Sequence, residues 1–95
     1  MPTYVMLTKL TTQGLQTLRS NPDRLREVNQ DVDELGCKVL HQWFLLGPYD
    51  FLNVIEAPDA QTVARVAVGL GARGSLHTET YEALGVDELL NVLAD

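Results

Sequence analysis

The residues of this chain that could do chemistry stand in a few places. Tyr49 and Asp50 follow Gly47-Pro48, so a phenol and a carboxylate meet at the tip of a short loop. Such a pair could orient a small substrate or move a proton. A purely structural role explains it as well: Gly-Pro sets a turn, aspartate caps backbone N–H groups, and a tyrosine ring covers a core edge. On residue chemistry alone the structural role ranks first. His41 and His77 fall in separate predicted strands, and neither has a partner at zinc-like spacing. His41 lies two residues before Trp43 on one strand face, where it lines a pocket or fills a polar gap in packing. Cys37 has no histidine near it in sequence, so a buried thiol outranks a nucleophile. Arg73, within Gly71-Ala72-Arg73-Gly74, could pair with a carboxylate or phosphate. That run follows a helix C-terminus, whose dipole repels anions, and it lacks P-loop or dinucleotide spacing. Lys9, at a strand end, is either solvated or an electrostatic handle in a pocket. Serine-nucleophile motifs are absent, and no metal or cofactor is expected.

The elements that must position these residues follow from periodicity. Residues 3–10, rich in β-branched and aromatic types, predict a strand. Thr11 and Thr12 suit a helix N-cap, and Asn21-Pro22 interrupts the helical pattern that follows, so 12–35 predicts a kinked or broken helix ending at Gly36. Strands are predicted at 37–46 and 51–56, joined by Gly47-Pro48-Tyr49-Asp50. Asp59 caps a second helix with Val63, Val66, Ala67 and Leu70 facing inward. A fourth strand spans 75–82, and 86–94 reads as a short amphipathic tail helix. The pattern is β-α-β-β-α-β plus a tail, an α+β ferredoxin-like sandwich over 1–95, with an antiparallel sheet of order 4-1-3-2. His41 and His77 then lie on opposite edges, roughly 14 Å apart, and cannot share a metal within one protomer.

Two helices cover one face of such a sheet, so the other face should turn polar if it met water. It does not. Val5 and Leu7 oppose Tyr4, Met6 and Leu10 in the first strand; Val39, Trp43 and Leu45 oppose Leu40, Phe44 and Leu46 in the second. Phe51 and Ile55 oppose Leu52 and Val54 in the third. Burying about 500 Å² of apolar surface per protomer would contribute on the order of 10 kcal/mol before association entropy. The expected solution is a second copy packed sheet to sheet, a homodimer or a higher homo-oligomer, ahead of the tail helix or a different partner folding over that face.

Composition narrows the partners further. Seven Lys+Arg against thirteen Asp+Glu give a net charge of −6 in 95 residues. No Lys or Arg follows Arg73, so neither nucleic acid nor an anionic membrane surface is an expected partner. A single cysteine cannot form an intrachain disulfide, and no apolar run approaches the length of a span or a signal peptide, so a cytoplasmic protein is expected.

Pro2 through Thr11, Gly47-Pro48-Tyr49-Asp50-Phe51, Glu56-Ala57-Pro58-Asp59 and Gly71-Ala72-Arg73-Gly74-Ser75 with Thr78-Glu79-Thr80 together resemble the GYD-domain family, whose signature is Gly-x-Tyr-Asp. The resemblance covers about residues 2–82 and implies a ferredoxin-like protomer of the dimeric α+β barrel type. It transfers no reaction. Two functions stay open. In one, the protein binds or transforms a small organic molecule without metal, with Tyr49, Asp50 and His41 as catalytic candidates and Trp43, Lys9 and Arg73 as ligand-binding ones. In the other, it is a non-enzymatic metabolite-binding or assembly module.

Overall fold

Strand β1 (Thr3–Leu10) runs through the middle of a four-stranded antiparallel sheet, between β3 (Phe51–Glu56) and β4 (Leu76–Ala83). Strand β2 (Lys38–Phe44) lies outside β3, giving the order β2-β3-β1-β4, which is the order expected from the sequence. These positions come from a computed structural model that describes residues 1–94. Helices α1 (Thr12–Ser20), α2 (Arg24–Glu34) and α3 (Ala60–Ala72) connect the strands, and α4 (Val86–Leu93) follows the last one.

Local chemistry sets the helix ends. The Thr11 hydroxyl accepts from the Gly14 N–H at 3.1 Å and starts α1. Pro22 has no N–H to continue that helix, so the chain breaks there and α2 begins two residues later. At the end of α2, Gly36 takes φ 102°, its N–H reaches the Asp33 carbonyl, and the Cys37 N–H reaches that of Val32. This is a Schellman closure, and only glycine enters that backbone region without strain. Asp59 opens α3 by accepting from the Thr62 N–H at 2.8 Å.

One face of the sheet carries the core. Tyr4 and Met6 of β1 and Ile55 of β3 pack against Val63, Val66 and Leu70 of α3, with Val32 of α2 and Cys37 closing the side. Burial, helped by the Asp59 charge, pushes the Cys37 thiol above its ordinary pKa and disfavours the thiolate. Helix α1 is pinned where Gly14 passes the chain before β4: a Cβ at Gly14 would lie 2.0 Å from the Ser75 carbonyl oxygen. The Thr11 N–H and hydroxyl bond the carbonyls of Ser75 and Gly74 at the same spot, at 3.0 and 2.9 Å.

The other face carries Val5 and Leu7 of β1, Leu52 and Val54 of β3, Trp43 of β2 and Tyr81 of β4. Among the described residues the core helices pack on the opposite face, and Trp43 and Tyr81 here are each 51% exposed. In β2 the facing differs from simple alternation. A bulge between Val39 and His41 inserts Leu40, so Val39, opposite core residue Ile55, turns inward while His41 and Trp43 turn outward. Alternation counted across the bulge puts Val39 and Trp43 on one face; the extra residue separates them. The strand also ends at Phe44 rather than Leu46, and Leu46 is 95% exposed. Helix α4 forms where the pattern predicts it, but Val86, Leu89, Leu90 and Leu93, spaced as one helical stripe, are all exposed.

The tight crossing at Gly14 predicts that Gly14→Ala lowers the thermal midpoint, since overpacking against backbone costs about 1–3 kcal/mol. Gly69→Ala in α3, where a Cβ meets nothing within 4 Å, should instead stabilise by about 0.5–1 kcal/mol. Thermal denaturation of both variants checks the contrast.

Candidate functional site

The loop between β2 and β3 is tied to the centre of the sheet by its own residues. The Leu45 N–H donates to the Asp50 carbonyl at 2.7 Å and closes the loop. The Asp50 N–H donates to the Thr8 carbonyl at 2.8 Å, one step beyond the β1–β3 ladder. The next rung is supplied by a side chain: Asp50 Oδ2 accepts from the Leu10 N–H at 2.8 Å. Asp50 is 9% exposed and spends this oxygen on backbone.

Tyr49 reaches across β1 to β4, where its hydroxyl donates to Oε2 of Glu79. The Tyr81 hydroxyl donates to Oε1 of the same carboxylate. The bond from Tyr49, then that from Tyr81, hold the Glu79 carboxyl below the usual carboxylate range. The bonds to Glu79 push both phenols above their ordinary value, helped by the carboxylate's charge and partial desolvation. Both shifts favour a carboxylate held between two protonated phenols near neutrality. It is a positioned negative charge.

The remaining candidates are spread out. His41 and Trp43 stack at the β2 edge, ring centroids 5.3 Å apart and planes 13° from parallel. Glu79, Leu7, Leu52 and Trp43 lie in one row across the four strands, so the stacked pair and the tyrosine cluster are roughly 14 Å apart at opposite edges. Lys9 sits opposite His77 on the same face. Arg73 lies on the helix side, where its guanidinium pairs with Asp31 of α2 at 2.9 Å. The structure thus brings together His41 with Trp43 and Tyr49 with Glu79, and keeps the candidates apart from one another as a catalytic set.

Two groups were not singled out by the sequence reading. Glu79 and Tyr81 share a parity in β4 that aims them at the face holding Val5 and Leu7, and that spacing was the available signal. The second group lies under the helices, in a cavity of about 270 Å³ bordered by Arg73 but by none of the other candidates. There Asn29 of α2, Gln42 of β2 and Asn53 of β3 form a carboxamide chain, with bonds of 2.8 and 3.2 Å between Asn29 and Gln42 and 2.7 Å from Gln42 to Asn53. Gln42 and Asn53 occupy inward strand positions, where an amide is unusual; that was the legible signal.

The tyrosine and aspartate of the Gly-x-Tyr-Asp signature therefore hold the β2–β3 loop against β1 and β4, and a family model for the GYD domain matches residues 4–93. The chain belongs to the GYD domain family. This GYD-domain chain is 50% identical over 91 residues to a Thermus thermophilus protein named "Glutamine synthetase and cystathionine beta-lyase binding protein", with 95% of this chain and 96% of that one aligned. The crystal structure of MtbAldR is similar with a TM-score of 0.67 at 18% identity, covering 88% of this chain and 52% of the other, so the GYD chain spans about half of that protein. The crystal structure of TTHA0845 from Thermus thermophilus gives 0.58 at 21% identity, over 90% of this chain and 95% of that one. These two likenesses carry the fold alone.

Asp50→Ala leaves the Leu10 N–H without its acceptor and should cost about 1–3 kcal/mol, measurable by urea unfolding; Asp50→Asn keeps an acceptor and should lose less. The cluster at Glu79 predicts a pH dependence. Its folded pKa is depressed, so its contribution to stability is complete above the unfolded value of about 4.3 and is lost as pH falls through the folded value. Glu79→Gln should flatten the acid side of a plot of melting temperature against pH.

Proposed function

We propose that this GYD-domain protein is a non-catalytic binding module, working as a homodimer packed sheet to sheet, that docks onto enzymes of amino-acid metabolism. One observation carries the reading: among the described residues, an apolar sheet face with Trp43 and Tyr81 and the apolar stripe of α4 are both exposed. A small domain that exposes such surfaces associates. Two-fold symmetry lets one contact cover the sheet face of both copies at once, with Val5, Leu7, Leu52 and Val54 side by side at its centre. The clustered Glu79 carboxylates lie at the sheet edge, outside that apolar centre, where a charge keeps water.

The docking half of the reading is supported by the Thermus thermophilus relative, whose name describes binding to glutamine synthetase and cystathionine beta-lyase. It also fits the state of the chemistry-bearing residues. Asp50 is committed to a backbone N–H, Tyr49 to Glu79 and Arg73 to Asp31. With those groups bound to each other, the chain offers shape and surface rather than an acid, a base or a nucleophile.

Sedimentation equilibrium at micromolar concentration should give twice the protomer mass of 10.5 kDa. Val54→Glu, at the patch centre, should give a folded monomer, with circular dichroism confirming the fold. Purified glutamine synthetase and cystathionine β-lyase should be retained by the immobilised wild-type protein and not by immobilised albumin. A wild-type monomer overturns the dimer, and retention of neither enzyme overturns the docking role.

A further inference from the structure

We propose that the cavity between the sheet and the helices is a binding site for a small neutral carboxamide carrying an apolar body. The cavity is on the opposite side of the sheet from the dimer face, and the inference does not rest on the docking role.

Its size is the first argument. Protein interiors leave few voids larger than a water molecule, and about 150 Å³ suffices to hold benzene. A cavity of about 270 Å³ in a domain this small is room for a molecule of ten or so non-hydrogen atoms.

The floor is the second argument. At its centre stand Gln42 and Asn53, on inward positions of β2 and β3. Gln42 is fully engaged: its Nε2 donates to Asn29 Oδ1 and Asn53 Oδ1, and its Oε1 accepts from Asn29 Nδ2. Asn53 is only half engaged. Its oxygen is taken by Gln42, and its Nδ2 donors have no partner among the described residues. Thr8, 5% exposed and also bordering the cavity, has no side-chain hydrogen bond among the described residues. A donor pair and a hydroxyl are thus held, unmatched, beside a carboxamide relay fixed from two strands and a helix. Together they fit a carbonyl oxygen accepting from Asn53 and an amide N–H donating to Thr8.

Charge sets the third constraint. The two guanidinium groups bordering the cavity each have a carboxylate partner, Arg24 with Glu27 at 2.7 Å and Arg73 with Asp31 at 2.9 Å. Both pairs are part-exposed, and no other charged side chain borders the cavity among the described residues, so the lining offers an ionised ligand no dedicated counter-charge and favours a neutral head group. The walls supplied by Leu18, Leu25, Val28, Phe51 and Leu76 match an aromatic or acyl body.

Benzamide, benzoate and toluene at millimolar concentration are the probes. In ¹⁵N-resolved titrations of the full chain, benzamide should shift the amides of Thr8 and Asn53 and the side-chain amides of Gln42 and Asn53, saturably, and raise the melting temperature. Benzoate should bind at least about tenfold more weakly. Asn53→Leu should weaken benzamide at least about tenfold while leaving toluene bound, and Val28→Trp, which fills the cavity, should abolish both. Either variant that fails to fold leaves the other and the wild-type shift map to decide. Absence of saturable benzamide shifts in the wild type, shifts mapping outside the cavity, benzoate binding as tightly as benzamide, or binding that survives in the folded variants would overturn the proposal.

Discussion

A single sheet of four strands, apolar on both sides, with its connecting helices on one side only, is the constraint from which the rest of this molecule follows. The connections force the asymmetry: in a β-α-β-β-α-β chain both crossovers are right-handed, so both helical segments land on the same face. The inward face is satisfied by α2 and α3 through Val32, Val63, Val66 and Leu70. The outward face has the same composition, with Val5, Leu7, Leu52 and Val54 at its centre, and nothing in the connectivity to cover it. Water is the wrong neighbour for that surface, at roughly 25 cal/mol for each Å². The proposed sheet-to-sheet dimer is a response that needs no second kind of chain.

The signature residues act at the end of the same sheet, where the hairpin loop is held down. Asp50 does so by replacing a backbone carbonyl in the ladder to β1, and Tyr49 by reaching β4. Gly47, by contrast, has open space around it and no left-handed backbone, so no steric demand accounts for glycine there. Tyrosine and aspartate in a loop look like acid–base chemistry in a sequence because both can titrate. In the folded chain Asp50 bonds the Leu10 N–H and Tyr49 bonds Glu79, and Glu79 is the member of the set that a loop-centred reading does not find.

How much was legible follows the range of the interactions. The strand at 51–56, the Asp59 cap, the break at Pro22 and the Gly36 closure all depend on neighbours a few residues away, and the sequence displays them directly. The sheet order follows from connectivity rules. The facing of β2 was misread because one inserted residue, Leu40, reverses every side chain beyond it, and no local feature of Val39-Leu40-His41 marks the bulge. The Tyr49–Glu79 contact joins residues 30 apart across a third strand, and the Asn29–Gln42–Asn53 relay joins three elements. Those contacts exist only once the register is known. Arg73 shows the same limit: its place after a helix was evident, its partner Asp31 was not.

The two faces also differ in the polar groups near their centres. On the outward face one carboxylate stands between two phenols toward β4, Lys9 stands opposite His77, and His41 stacks on Trp43 in β2. On the inward face, beside the Tyr4 phenol and the Thr8 hydroxyl, Gln42 and Asn53 set neutral amides in the middle of two strands, where a charge would carry a desolvation penalty. Neutral amides in that position are a tolerable defect in a core and a useful feature in a pocket. A core that wanted rigidity could have carried valine at 42 and 53 at no loss to the sheet, whereas a relay anchored on three elements holds one unpaired carboxamide edge in a fixed direction. Fixed direction is what recognition needs and what packing does not, so the polar relay is better accounted for by something it faces than by anything it holds together.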